Sequence, residues 1–144
     1  MRLAIGCDHG GFNYKERLKK DLEELGHEVI DCGTYSNERC DYPVFAFKVG
    51  EEVAKNGGLG ILICNSGEGV AICANKVKGI RAGLGYNDQV AELLREHNDA
   101  NVITFGANFQ TYEEVLNRIK IFISSSFAGD RHERRVNLIK NYEK

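Results

Sequence analysis

With one proline in 144 residues, the sequence has little of the material of long disordered linkers, and no stretch of it is low-complexity or repetitive. It also lacks an excess of one charge. A net charge of −2 and a pI near 6.1 give no overall attraction for nucleic acid or an anionic membrane, although the C-terminal stretch carries a local basic cluster. Any phosphate it binds is therefore expected on a small molecule. No charged-then-apolar leader precedes Arg2-Leu3-Ala4-Ile5-Gly6-Cys7, and no apolar run approaches the length of a membrane span. The expectation is a cytoplasmic protein without nucleic-acid or membrane partners. Cys-x-x-Cys pairs are missing too: the cysteines at 7, 32, 40, 64 and 73 are odd in number and signal neither a disulfide framework nor a zinc knuckle. Cys32, Cys40 and Cys73 read as small core hydrophobes, whereas Cys7 and Cys64 stand at strand ends.

What is present is regular alternation. The 42% apolar content with 28% charged residues is that of a globular chain, and 144 residues suit one domain spanning residues 1–144. Strands are expected over Leu3–Cys7, Glu28–Cys32, Gly60–Cys64, Ile80–Leu84 and Asn101–Phe105. Helices are expected over Asn13–Leu25 (burying Tyr14, Leu18, Leu22 and Leu25), from Pro43 to Asn56, and over Val70–Val77, Asn87–Glu96 and Thr111–Ser125. Strand after helix requires right-handed crossovers and a parallel sheet covered on both faces. The fold class is thus α/β: a doubly wound three-layer sandwich with a five-stranded parallel sheet, plus an extra C-terminal helix over Asp130–Tyr142.

The stretch Gly60–Lys76 concentrates chemistry. An apolar run ends in Cys64-Asn65-Ser66-Gly67-Glu68-Gly69 before a helix, so free N–H groups can face a negative oxygen or a thiolate; the same glycines also suit a purely geometric turn. Asp8-His9-Gly10-Gly11 sets a carboxylate and an imidazole at the end of the first strand, as a proton carrier and a phosphate partner or as an N-cap with a solvated imidazole. Arg131 and Arg135, four apart, share a helix face that fits phosphate oxygens or a solvated surface countered by Glu133. His97-Asn98 fits an acid/base imidazole oriented by an amide, or a plain turn. Ligands of open α/β sheets sit beyond the carboxyl ends of the strands, which selects Cys7-Asp8-His9, Cys64–Gly67 and Tyr86. His97-Asn98-Asp99 falls on the opposite edge, and joins the same site only from a neighbouring chain.

Taken together, Ile5-Gly6-Cys7-Asp8-His9-Gly10-Gly11, Gly33-Thr34-Tyr35 with Asp41-Tyr42-Pro43, Ile61-Leu62-Ile63-Cys64 with Ala74-Asn75-Lys76, Gly79-Ile80-Arg81-Ala82, Arg95–Val102 and Arg131-His132-Glu133-Arg134-Arg135 resemble the sugar-phosphate isomerase family that contains ribose-5-phosphate isomerase B and the galactose-6-phosphate isomerase subunits. The resemblance covers essentially the whole chain. It implies an aldose-ketose isomerase of the pentose phosphate pathway that works through an enediolate without metal or cofactor, with sites shared between subunits of a homodimer or a tetramer of such dimers. Cys64 then matches the base moving a proton between C1 and C2, and Ser66 with the N–H groups of Gly67, Glu68, Gly69 and Val70 matches the cradle for the enediolate oxygens, with Asn65 in the same turn. Asp8 matches a handler of hydroxyl protons, Tyr42 a residue lining the site, and His97 the group that opens the furanose ring. Asn98 matches a hydroxyl contact, and His9, Arg131 and Arg135 the phosphate site. The chain departs from the family's Cys-Gly-Thr-Gly-x-Gly turn at Asn65 and Ser66, brings a carboxylate into the cradle at Glu68, has Val70 where some members place a Glu base, and has Asn108 where many have Arg. Ribose 5-phosphate is the expected substrate; a six-carbon sugar phosphate of the allose or galactose 6-phosphate type, or binding without catalysis, are the alternatives.

Overall fold

A parallel strand covered on both faces must be apolar at consecutive positions, and Leu59–Cys64 is buried at all six. This strand, β3, is the middle of a five-stranded parallel sheet ordered β2-β1-β3-β5-β4, where β1 is Arg2–Cys7, β2 Glu28–Asp31, β4 Ala82–Leu84 and β5 Val102–Gly106. The computed structural model describes residues 1–143. Helices α1 (Phe12–Glu24), α2 (Tyr42–Asn56), α3 (Glu68–Ala74), α4 (Asp88–Glu96) and α5 (Tyr112–Ser124) alternate with the strands, and α6 (Arg131–Tyr142) follows. This is the α/β sandwich expected from the alternation.

Side chains alternate along each strand, so two cores form. Leu3, Ile5, Cys7, Ile61, Ile63, Ile103 and Phe105 meet Leu18 and Leu22 of α1, Ala91 of α4, and Val115, Ile119 and Phe122 of α5. On the other face Ala4, Leu62, Cys64 and Val102 meet Ala46, Val49 and Val53 of α2 and Val70, Cys73 and Ala74 of α3. Each large side chain fully buried here contributes about 1.5–3 kcal/mol. Gly60 brings α2 onto the sheet: a Cβ there would lie 2.8 Å from Val49 and 2.9 Å from Val102. Helix ends follow local signals, with Asn87 capping α4 and a Thr111–Glu114 capping box opening α5.

Four expectations are corrected. Leu25 is half exposed, because α1 ends at Glu24 and the chain turns at Gly26 before the core-facing position recurs. Cys40 is no core residue: it lies half-buried in the connection between β2 and α2. The fourth strand is only Ala82–Leu84, and α3 begins two residues early, at Glu68.

One buried ion pair fastens α1 to the sheet. Lys15 is fully buried, and its Nζ donates to both Asp31 oxygens and to Glu16 Oε2, all at 2.8 Å. Asp31 also pairs with Lys19 and accepts from the Gly33 N–H at 2.9 Å. Burial pushes the Asp31 carboxyl up, but the hydrogen bonds from Lys15, Lys19 and Gly33 outweigh it and hold the group below its ordinary value. Its stabilisation is present above the unfolded-state value near 3.9 and lost as pH falls through the lower folded value. Asp31→Asn, which leaves the buried ammonium with Glu16 alone, is expected to cost about 3 kcal/mol in denaturant unfolding at pH 7, with a smaller deficit below pH ~4.

Candidate active site

Because β3 is central, its carboxyl end lies between the ends of β1 and β5, and Cys64 occupies that point at 5% exposure. The turn that follows is sharp because Gly67 takes φ 81°, a left-handed conformation, and a Cβ on it would sit 2.5 Å from Leu84. The result aims the Gly67 N–H at Cys64 Sγ, 3.1 Å away, and the Glu68 N–H at Ser66 Oγ, 3.2 Å away. The N–H groups of Gly69 and Val70, in the first turn of α3, have no carbonyl four residues back within the helix. The turn is laced to β5: Thr104 Oγ1 donates to the Gly67 carbonyl at 2.9 Å, the Ala107 N–H to the Cys64 carbonyl at 2.9 Å, and the Asn108 N–H to the Asn65 carbonyl at 3.1 Å. Asn65, Glu68 and Asn108 are exposed, and Glu68 makes no ion pair among the described residues.

The end of β1 abuts this turn, since a Cβ on Gly10 would lie 3.5 Å from the Asn65 nitrogen. Asp8 is buried and caps the His9–Gly11 turn, its Oδ1 accepting from the N–H groups of Gly10 at 2.9 Å and Gly11 at 3.3 Å. His9 Nδ1 accepts from the Cys40 N–H at 3.3 Å, so in the neutral ring the proton sits on Nε2, which is left to donate. Tyr42 opens α2, and its ring lies over Gly69, where a Cβ would come within 2.5 Å of it. Asp8, His9, Tyr42 and the residues from Cys64 to Val70 thus meet at one edge with Asn108, and Tyr86 follows β4 there.

His97, Asn98, Arg131 and Arg135 lie at the other edge. His97 ends α4, which runs back from the carboxyl edge, and the Ala128 N–H donates to the Glu96 carbonyl at 3.0 Å, bringing the start of α6 beside it. The turn after His97 is clamped. Arg81 donates to the carbonyls of Asn98 at 3.1 Å and Asp99 at 2.7 Å and pairs with the Asp99 carboxylate at 3.2 Å, while Arg95 holds the other Asp99 oxygen at 3.2 Å and the Ala100 carbonyl at 2.6 Å. These bonds support Asp99 at φ 46°, unusual for a residue with a Cβ. Arg131 and Arg135 are exposed with no ion pair to Glu133 among the described residues, so the local counter-charge is not engaged. A cavity of about 480 Å³ on this edge is lined by Arg81, Asn98, Ile139 and Tyr142 among others. His9 and the two arginines, grouped in the sequence as one phosphate site, are therefore separated within a single chain. Among the described residues no cluster of three or more His, Cys, Asp or Glu side chains forms a metal site, and no helix is long and apolar enough to cross a membrane.

A family model described as Ribose/Galactose Isomerase matches residues 3–139. The chain belongs to this family. It is 43% identical over 145 residues to ribose-5-phosphate isomerase B of Escherichia coli, covering 99% of this chain and 96% of that protein. It is 39% identical to the Mycobacterium tuberculosis enzyme of the same name, covering 100% and 91%. Among solved structures, ribose-5-phosphate isomerase B of Clostridium thermocellum superposes with a TM-score of 0.96 at 42% identity, covering 99% of this chain and 97% of that one. The Mycoplasma genitalium enzyme, solved with bound ribulose-5-phosphate, superposes at 0.94 with 39% identity, covering 98% and 95%.

Within this isomerase-family chain, two contacts escape a reading by motif. The Arg81–Asp99–Arg95 clamp depends on a turn conformation that no residue pattern announces. The contact between Cys40 and His9 depends on a long loop folding back. His132 lies between the two arginines, but its spacing to Val136, buried like itself, was available as the mark of the inward face of α6.

The thiols differ sharply. Burial pushes Cys7 up to about 12 and Cys32 to about 11, and burial with the nearby Cys64 also raises Cys73. Cys7 and Cys64, adjacent in the sheet, face opposite cores. Alkylation of the native protein followed by peptide mapping is therefore expected to label Cys40 while sparing Cys7 and Cys32 until unfolding. Mild oxidation is expected to give no Cys7–Cys64 disulfide.

Proposed function

We propose that this chain interconverts ribose 5-phosphate and ribulose 5-phosphate through an enediolate, with Cys64 as the base. The observation that carries the reading is the Cys64 turn, where a sulfur, a hydroxyl and the first-turn N–H groups of α3 converge beside Asp8 and His9. The bound ribulose-5-phosphate in the Mycoplasma genitalium relative supports the substrate.

In the aldose-to-ketose direction, the Cys64 thiolate takes the proton from C2 of the open-chain sugar, and the electron pair moves through C1 onto the carbonyl oxygen. Ser66 Oγ and the N–H groups of Gly67, Glu68, Gly69 and Val70 receive the charge that develops there; one such fixed donor contributes about 3 kcal/mol to the transition state. Cys64 returns the proton to C1 while Asp8 relays the hydroxyl proton, giving the ketose. His9 Nε2, facing out from the same edge, suits the phosphate. Tyr42 closes one side, and Asn65, Glu68 and Asn108 form a rim that is less positive than one carrying an arginine.

His97, Asn98, Arg131 and Arg135 complete the site from a second copy in a homodimer: His97 opens the furanose, Asn98 holds a hydroxyl and the two arginines clamp the phosphate. Their position on the opposite edge supports this division. So do exposed apolar side chains at both halves, Tyr42, Val44, Phe47 and Ile72 on α2 and α3 and Leu138, Ile139 and Tyr142 on α6.

Purified protein is expected to interconvert the two sugar phosphates; no turnover of these or of six-carbon sugar phosphates overturns the reading. Cys64→Ala is expected to lower kcat by at least about 10³-fold and Glu68→Gln by less than about threefold, and the reverse pattern moves the base to Glu68. The shared site has its own test. Cys64→Ala and His97→Ala chains, each inactive alone, are unfolded together and refolded one to one; half the dimers then carry one intact site, and activity is expected to recover to about a quarter of wild type. No recovery contradicts sharing.

A further inference from the structure

The turn that carries His97 is fixed in its backbone by the clamp on Asp99, but that clamp leaves the imidazole free to rotate about its own side-chain bonds. A second ring removes that freedom. The His97 and His132 imidazoles stack with centroids 4.0 Å apart and planes 13° from parallel. His132 is buried on the inward face of α6 next to Val136, and α6 is held at this point by the bond from Ala128 to Glu96. Neither histidine has a hydrogen-bonded side-chain partner among the described residues, and neither contributes an orphaned buried nitrogen. Ring-on-ring contact is therefore what sets the plane of the His97 imidazole, and with it the direction in which its nitrogens point.

We propose that His132 is a positioning residue for His97, its stacked ring holding the His97 imidazole in the plane needed to pass a proton to the ring oxygen of a furanose substrate. This rests on the reading of His97 as the group that opens the sugar ring. The charges around the pair fit the role. The groups facing His132 are His97 from α4 and Asp130, Arg131 and Arg135 from its own helix; burial first, then His97 and the two arginines, push its ionisation down. A lowered ionisation of His132 suits the pair, since a neutral ring stacked on an imidazolium is an attractive arrangement whereas two stacked cations repel. The ring opening itself balances simply: His97 gives a proton to the ring oxygen as the C1–O bond breaks, and the C1 hydroxyl gives its proton to solvent water as the carbonyl forms.

The two directions of the reaction separate this role from general disruption. Ribose 5-phosphate is mainly a closed furanose and must be opened, whereas ribulose 5-phosphate, with its O5 esterified, cannot close to a furanose. His132→Leu removes the stack and His132→Phe keeps one. Wild type, both variants and His97→Ala are compared by turnover of ribose 5-phosphate and by exchange of solvent deuterium into C1 of ribulose 5-phosphate, which needs Cys64 but no ring opening. His132→Leu is expected to lower ribose 5-phosphate turnover about tenfold and leave the exchange within about twofold, with His132→Phe close to wild type in both. The proposal is overturned if His132→Leu leaves turnover unchanged, if it lowers turnover and exchange equally, or if His132→Phe loses turnover as His132→Leu does. Failure of the underlying reading looks different. Wild-type protein would show neither turnover nor exchange, or His97→Ala would keep full turnover of the furanose.

Discussion

The parallel register of the sheet is the constraint on which the rest depends. When all five strands run one way, every strand-to-helix turn falls on one edge and every helix-to-strand turn on the other. Residues placed after strands (Asp8, His9, Cys64 to Val70, Asn108) are thereby gathered, and residues placed before a strand (His97, Asn98) are kept away from them. α6, anchored beside His97, carries Arg131 and Arg135 to the same distant edge. No local adjustment of a loop brings the two groups together across the thickness of the sheet. The proposed site therefore calls for two chains, and the need arises from topology rather than from any feature of the interface.

Each half is rigid for a different reason. The Cys64 turn is tied on one side to β1 through the close approach of Gly10 and on the other to β5 through three hydrogen bonds, so it inherits the stiffness of three buried strands. The His97 turn lies at a half-buried helix end and has no such backing from the strands. Its stiffness comes from charge: one carboxylate, Asp99, shared by two guanidiniums that also cover three carbonyls. A cradle for a developing oxyanion is useful only if its donors do not have to reorganise, and the same holds for a proton donor aimed at a ring oxygen.

Much of this was legible in the residues. The five strands and six helices follow from apolar periodicity and from glycine, proline and polar caps, with bounds off by up to three residues, because those signals are local and the core does not contradict them. The Cys64 turn, the Asp8-His9 pair and the edge occupied by His97 could all be placed from order alone. Other features could not. Cys40 resembles the buried cysteines by composition, and only the path of the loop from β2 to α2 brings it to His9. Arg131 and Arg135 share a helix face, but nothing in their spacing says against which part of the fold that helix lies.

The sequence by itself determined the class of fold, the order of its elements, the family, and which residue types stand at each strand end. These are properties of neighbours along the chain, carried by periods of two and 3.6 residues and by turn-forming side chains. Tertiary structure alone decided the rest: that Cys7 and Cys64 face opposite cores, that His132 lies flat against His97, and that the two arginines sit with His97 and away from His9. Those facts depend on the sheet order β2-β1-β3-β5-β4 and on where α6 docks. Both are set by contacts between residues far apart in sequence, and no local pattern encodes them.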